Sequence, residues 1–298
     1  MKMDLKNLIP ARLRKDKVVI PVVRLSGAIM AGGSVLRPPL SLANVANTLK
    51  RAFSYKRAPV IVLSINSPGG SPVQSRLIHS RIRELAKKHK KKVLVFVEDV
   101  AASGGYMIAL AGDEIIADAT SIVGSIGVVS AGFGFDQAIS KLGVDRRVYT
   151  AGENKVILYH FQPEKEKDIA YLKSLQGEIH QIFIDMVKDS RGTKLADNDD
   201  LFSGLFWTGA KAKELGLIDG VGLMAPVIRE RYGDKAELKL VQPKRGLFGR
   251  PQPGIAVGAL ATGLDDGLRS AGLGLAAGLP DALLDTVAER ALWARYGL

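Results

Sequence analysis

The sequence predicts an α/β protein with a mainly parallel sheet and helical crossovers, followed by a glycine- and alanine-rich C-terminal segment and a last helix. Short β-branched runs typical of buried strands occur at residues 18–25, 60–66, 92–98, 114–118 and 144–150. Amphipathic stretches typical of helices lie between these runs. A strand–helix–strand order repeated along a chain favours a parallel sheet with right-handed crossovers.

The predicted helices and domain boundaries follow from the same patterns. The helices are expected at residues 42–53, 73–90, 104–111, 135–142, 163–191, 207–216 and 225–232. The main domain is predicted over residues 18–242, after a basic N-terminal arm at 1–17. Residues 243–298 are predicted to be a connector rich in glycine and alanine, with a final helix that begins at Asp281.

Composition removes several classes of site. The chain has 298 residues and no cysteine, which excludes a disulfide framework, a thiolate zinc site and a cysteine nucleophile. The four histidines show no metal-ligand spacing, so a histidine-rich metal site is not expected. The sequence implies no metal and no organic cofactor.

The net charge of +12 does not identify a partner by itself. Basic residues cluster in the arm at 1–17 and at 87–92, without the interleaved aromatics of a nucleic-acid site, so no nucleic acid is expected. A solvated arm and a peripheral contact with anionic lipid remain alternatives for residues 1–17. The uncharged stretch 119–135 is too short for a spanning helix. The expected location is cytoplasmic or peripheral on the cytoplasmic face of the inner membrane.

Two glycine turns each follow a predicted buried strand. The first glycine turn (residues 66–70) reads NSPGG, and the second glycine turn (residues 101–105) reads AASGG and opens a predicted helix. Each alone is typical of ordinary turn or cap chemistry. On neighbouring strands, both turns would bring backbone N–H groups to one crevice, beside Ser103.

A serine nucleophile needs a base, and the sequence contexts of the histidines do not favour them. Lysine can serve if burial lowers its pKa towards neutrality. Lys155 is the candidate because it follows a predicted strand and a glycine turn and precedes the apolar run 156–158. The alternative is an ordinary exposed loop lysine.

Taken together, these motifs resemble the S49 peptidases, the signal peptide peptidase A family in its short, single-repeat form. The motifs are SINSPGG, EDVAASGGYMIALAGDEIIAD, SIVGSIGVV, YTAGENK and FWTGAKAKELGLIDGVG. The resemblance covers roughly residues 18–232 and implies a ClpP/crotonase-like fold.

The resemblance also implies roles for particular residues. It implies Ser103 as the nucleophile, Lys155 as the general base and Ser125 as the residue that orients the lysine amine. Gly104, with Gly69 or Gly70, would donate to the oxyanion. It further implies a homo-oligomer in which neighbouring protomers share each site.

The expected function is therefore a serine endopeptidase that cleaves unfolded apolar peptides, such as signal-peptide remnants or membrane-protein fragments. Three alternatives remain open: a ClpP-like Ser-His-Asp peptidase, a crotonase-like acyl-CoA enzyme and a catalytically silent scaffold at a membrane surface.

Overall fold

The computed structural model describes residues 18–32, 38–242, 287 and 289–298. The predicted arm at 1–17 and the predicted connector from residue 243 through the start of its helix at Asp281 lie outside the described residues. The strands are β1 (Val19–Ser26), β2 (Val60–Ser67), β3 (Lys92–Ala102), β4 (Glu114–Ala117), β5 (Ile122–Gly124), β6 (Phe206–Thr208), β7 (Gly220–Val221) and β8 (Glu237–Leu240). The helices are α1 (Leu42–Phe53), α2 (Pro72–His89), α3 (Gly104–Ala109), α4 (Asp136–Lys141), α5 (Glu166–Arg191), α6 (Gly209–Glu214) and α7 (Met224–Tyr232). Residues 289–294 form a further helical stretch.

The strands form one sheet in the order β6-β5-β3-β2-β1-β8, with β4 paired to β3 and β7 paired to β4. The pairs are parallel except for β5 and β6, which are antiparallel. Helix α1 returns the chain from β1 to β2, and α2 returns it from β2 to β3. The prediction of an α/β fold with a mainly parallel sheet and helical crossovers is confirmed.

Apolar side chains cover both faces of the sheet. The larger cluster packs β1 to β3 against α1, α2, α3 and α5, and includes Leu25, Leu63 and Ile82. The smaller cluster on the other face includes Phe96 and Ile228, the latter from α7. Strands covered on both faces favour near-continuous apolar runs, and β2 is apolar over its first four residues, Val60 to Leu63. All eight of its residues are buried.

The two crossover helices next to the glycine turns begin at serine caps. The Ser41 side chain accepts a hydrogen bond from the Asn44 amide at the start of α1. At the start of α2 the Ser71 side chain accepts from the Gln74 amide, and Pro72 occupies the first turn. The first glycine turn therefore leads directly into a well-capped helix.

The structure differs from the predicted elements in two ways. Residues 144–150 form no strand, and Val144 and Tyr149 are exposed, so that prediction was wrong. The apolar residues there have no neighbouring strand to pair with. The short strands β5 to β8 were not predicted, and β6 replaces the first turn of the helix expected at 207–216. Runs of two to four residues are too short to show a strand period.

Candidate active site

A bulge between β2 and β3 positions the second glycine turn. Ile65 pairs with Val97, but Ser67 pairs with Ala101, so β3 advances four residues while β2 advances two. Asn66 stabilises this irregular stretch, since its side chain donates to Asp99 Oδ2 (2.6 Å) and accepts from the Val100 amide (3.2 Å). The bulge carries the end of β3 away from β4 and onto β5.

The first glycine turn is fixed to the chain that follows β1. The Gly69 carbonyl accepts from the Ile29 amide at 2.8 Å, and the Ser71 amide donates to the Ile29 carbonyl at 2.7 Å. The Ser67 hydroxyl donates to the Gly27 carbonyl at 2.7 Å. Asn66 and Ser67 are thus positioning residues that the sequence reasoning missed. Their only sequence signal is that they are polar residues directly after an apolar strand.

Ser103 lies between β3 and α3 in an unusual backbone conformation, with φ 51° and ψ −122°. A non-glycine residue in this region is strained, and a sharp strand-to-helix turn of this kind is a recurring way to expose a nucleophilic serine. The Ser103 amide donates to the Gly124 carbonyl at 2.8 Å, which ties the turn to β5. Its side chain makes no cap hydrogen bond and is half-buried.

The two glycine turns are in contact. A Cβ atom on Gly69, whose φ is +104°, would lie 2.8 Å from Ser103 Cβ and 2.9 Å from the Gly104 nitrogen. A Cβ on Gly104 would lie 3.4 Å from the Gly70 nitrogen and would collide with the Ser75 hydroxyl. Both glycines are needed because the backbones approach closely.

The amide groups of the turns differ in what they bind. The Gly69 N–H donates to Ser67 Oγ at 3.3 Å. The N–H groups of Gly70 and Gly104, in contrast, have no acceptor within the described part of the chain. Two adjacent unpaired amides beside a serine hydroxyl can stabilise an oxyanion. The sequence left Gly69 and Gly70 as alternatives, and this geometry favours Gly70.

Ser125 follows β5 and is also near Ser103, because the Gly124 carbonyl accepts from the Ser103 amide. Ser125 has a positive φ of 54° and is only 2% exposed. Its amide donates to the Leu205 carbonyl at 2.7 Å, and its hydroxyl is hydrogen-bonded to the Tyr296 hydroxyl at 3.2 Å. The sequence offered no signal for this tyrosine.

Lys155 is not brought to the other site residues. It is exposed and lies in an irregular stretch, where its amide donates to the Gly152 carbonyl at 3.3 Å. The side-chain amine has no hydrogen bond or ion pair to any residue that the structure describes, Ser103 and Ser125 included. The surrounding residues 129–162, here called the lysine segment, contain α4, in which no residue is buried.

One histidine approaches the site. His180 lines a cavity of about 260 Å³ together with Ser125, Gly127 and Ser203. Its Nε2 is 3.0 Å from the Ile126 carbonyl oxygen. A carbonyl only accepts, so this ring nitrogen carries a hydrogen and is unavailable as a base.

A partly exposed serine hydroxyl beside unpaired backbone amides is the arrangement of enzymes that transfer acyl groups. The family comparison indicates a peptidase. The model of peptidase family S49 matches residues 85–238, a stretch that includes Ser103, Ser125 and Lys155. The chain belongs to peptidase family S49.

Similar proteins include proteases and one larger protein with a different name. The chain is 32% identical to a putative protease of Methanocaldococcus jannaschii, over 69% of this chain and 67% of that one. It is 32% identical to a probable protease SohB of Haemophilus influenzae, over 76% and 61%. It is 64% identical to a Brucella melitensis protein named Na(+)/H(+) antiporter NhaA, over 99% of this chain but 39% of that one. The chain therefore spans about two fifths of the Brucella relative's length.

None of the helices among the described residues is both long enough and apolar enough to cross a membrane.

Proposed function

We propose that this chain is a serine endopeptidase in which Ser103 is the nucleophile and Lys155 the general base. The observation that carries the proposal is the contact between the two glycine turns, where the Gly70 and Gly104 N–H groups beside Ser103 have no acceptor among the described residues. Membership of peptidase family S49 supports the same reaction class.

In the proposed mechanism, Ser103 Oγ attacks the carbonyl carbon of the scissile peptide while its proton passes to the neutral Lys155 amine. The negative charge that develops on the carbonyl oxygen is stabilised by the N–H groups of Gly104 and Gly70. The protonated lysine then gives its proton to the leaving amine. A water deprotonated by the same lysine hydrolyses the acyl-enzyme and restores Ser103.

The proposal includes a homo-oligomer in which a second copy supplies Lys155 to each serine. The lysine segment supports this, because Lys155 is far more exposed than a dehydrated base should be. The segment also exposes large apolar side chains, among them Phe133 at 78%, Leu142 at 77% and Tyr149 at 89%. Exposed apolar surface of this extent is typical of an interface. In the assembled enzyme, Ser125 would then orient the incoming lysine amine.

The substrates proposed are unfolded apolar peptides, such as signal-peptide remnants or membrane-protein fragments. A location of the protein at the cytoplasmic face of a membrane fits this substrate class. The name of the Brucella relative supports such a location, since a peptidase unit there shares a chain with a protein named as an antiporter. Peripheral attachment through the basic arm at 1–17 belongs to the same proposal.

The test is cleavage of a fluorogenic apolar peptide by wild type and by Ser103→Ala, with a sizing run on both. Removing a nucleophile should lower kcat/KM by at least about 10³-fold. Folding should be unchanged within about 1 kcal/mol, because the Ser103 side chain makes no cap hydrogen bond. Ser54→Ala, which removes an exposed hydroxyl at the C-terminal end of α1, is the matched control.

Labelling with a fluorophosphonate separates the alternatives. An active serine should react in wild type and not in Ser103→Ala. Equal cleavage by both proteins would reject Ser103 as the nucleophile. A wild type that neither cleaves nor labels would favour a silent scaffold.

A further inference from the structure

Residues 289–298, here called the strap, cross the site along the edge of the sheet where β1, β2 and β5 end. At one end, the Glu289 carboxylate lies next to Gly27, which directly follows β1, at 3.7 Å from the position of a Cβ there. At the other end, Tyr296 reaches the first glycine turn and Ser125. The strap therefore spans the crevice in which parallel sheets place their ligands.

Tyr296 is the anchor of the strap. Its hydroxyl lies 3.2 Å from Ser125 Oγ and 3.5 Å from the Pro68 carbonyl oxygen, so it joins the loops on either side of Ser103. Its ring packs edge-on against Phe206, with 5.0 Å between ring centroids. The side chain is half-buried, whereas its neighbours Arg295 and Gly297 are exposed. Tyr296 therefore makes two polar contacts through its hydroxyl and one aromatic contact through its ring.

The strap also separates two cavities. Arg295 lines the cavity of about 260 Å³ that contains Ser125 and His180. Tyr296 and Leu298 line a second cavity of about 550 Å³. Three carboxylates line this second cavity: Glu98, Asp99 and Asp118. A segment with a cavity on each side occupies space that a bound peptide would otherwise fill.

We propose that the strap is an autoinhibitory ligand that occupies the peptide-binding cleft of its own chain through Tyr296. The inference rests on the proposed function, because Ser125 is the residue proposed to orient the base. The Tyr296 hydroxyl donates to Ser125 Oγ and so takes up one of its two acceptor lone pairs, which a lysine amine would otherwise use. A peptide therefore binds only after the strap leaves, and its apparent affinity is reduced by the fraction of molecules in which the strap is bound.

The bound strap also indicates which ligands the cleft prefers. The recess between Phe206, Pro68 and Ser125 takes an aromatic ring with a hydroxyl at its tip. A peptide with tyrosine at the matching position competes directly with the strap. The competing ligand is therefore an aromatic-bearing peptide.

The experiment measures peptide binding separately from cleavage. A fluorescein-labelled peptide with the sequence of residues 289–298, ERALWARYGL, is titrated into full-length Ser103→Ala and into Ser103→Ala/Tyr296→Ala, and anisotropy is recorded. Removing the anchor should tighten binding about tenfold. Tyr296→Phe, which keeps the ring and loses both polar contacts, should give a smaller gain. Tyr171→Ala in the same background is the control, since Tyr171 is an exposed tyrosine on α5.

Cleavage assays then separate the two proposals. In otherwise wild-type protein, Tyr296→Ala should raise kcat/KM about tenfold, mainly through a lower KM. If all variants are folded by circular dichroism and bind the peptide with equal affinity, the strap is not autoinhibitory, even if wild type cleaves peptides. Tighter binding by the Tyr296 variants with no cleavage by any protein would support the strap and reject the proposed function.

Discussion

The nucleophile region and the lysine segment differ in what holds them in place. Ser103 is fixed by β3, by β5 through the Gly124 carbonyl and by contact with Gly69. The lysine segment has instead a local cluster in which Phe135 and Tyr159 each pack against Phe161, and Arg146 lies 5.2 Å from the Phe161 ring centroid. One half of the proposed site is therefore built by the sheet of a single chain. The other half has local order but lies outside the core.

This difference indicates where an active site depends on assembly. A strained serine and close glycine contacts persist only if the surrounding structure determines them, and one chain suffices for that. Dehydrating a lysine requires surface that covers it, and the described part of this chain leaves Lys155 exposed. A second copy would provide such surface.

The largest expected effect comes from separating the two halves of the site. Ser103→Ala and Lys155→Ala should each lose activity by at least about 10³-fold. Co-expressed with different tags and purified through both, the pair should recover between about a quarter and a half of wild-type activity, depending on ring size, if sites are shared and subunits pair at random. The measurement is kcat per active oligomer on the fluorogenic peptide.

His180→Gln serves as the control for that experiment, because His180 is the histidine that lines the cavity at Ser125. It should keep most of the activity. Failure of the two inactive variants to complement would place serine and base in one chain. If His180→Gln loses activity while Lys155→Ala keeps it, the general base is His180 and not Lys155. The active site would then not depend on the lysine segment.

A pair of glycine substitutions tests the difference in packing. Gly69 and Gly143 both have positive φ, +104° and +66°, but a Cβ on Gly143 meets no described residue within 4 Å. Gly69→Ala should lower the free energy of unfolding by about 2–5 kcal/mol, since it adds a steric collision to the backbone strain. Gly143→Ala should cost only about 1 kcal/mol. Denaturant unfolding measures both, and equal losses would mean that the glycine turns are no more tightly packed than the lysine segment.

The last expected effect is confined to acid pH and concerns stability. Burial, followed by the positive charge of Arg83, lowers the pKa of His79 on α2 from 6.5 to about 4. Below pH 6.5 the unfolded chain therefore binds a proton that the folded chain does not, and stability falls with pH until about pH 4. The loss attributable to His79 should reach about 3 kcal/mol at pH 4.

His79→Gln should flatten the stability profile between pH 6.5 and 4, whereas wild type should lose stability across that range. His160→Gln is the matched control in the lysine segment, where His160 is exposed. Urea unfolding at several pH values gives both profiles. If the stability profile changes with His160→Gln and not with His79→Gln, the loss of stability in acid does not come from the buried His79.

The elements that build the nucleophile region were predicted well from the sequence. Helices α1 and α2 and strands β1 to β4 fall within a few residues of the predicted bounds, because their apolar runs are long and their caps are local. Ser103 could be proposed from two glycine turns on neighbouring strands, whereas Gly104 with Gly69 or Gly70 as oxyanion donors was implied by the family resemblance. The contact between those turns was a consequence of parallel strand order.

Other features could not be predicted because they depend on tertiary contacts. The apolar residues Val144 and Val148 resemble a strand in sequence, but no strand lies beside them. Asn66 acts through a bulge that has no period in the sequence. Tyr296 reaches Ser125 from 171 positions away along the chain, and nothing local marks it. Lys155 was a candidate from its sequence context, the role of Ser125 came from the family resemblance alone, and both roles stay predictions.

The bulge after Ile65 makes the number of residues in β3 as important as their identity. Side chains alternate across a strand, so deleting one residue between Val97 and Val100 would turn Ser103 to the opposite face of the sheet. Deleting two would restore the face but withdraw Ser103 by about 7 Å, out of contact with Gly69. Substitution at Glu98 or Asp99 leaves that spacing intact, whereas a change in length does not. In this stretch, chain length therefore sets the geometry of the site.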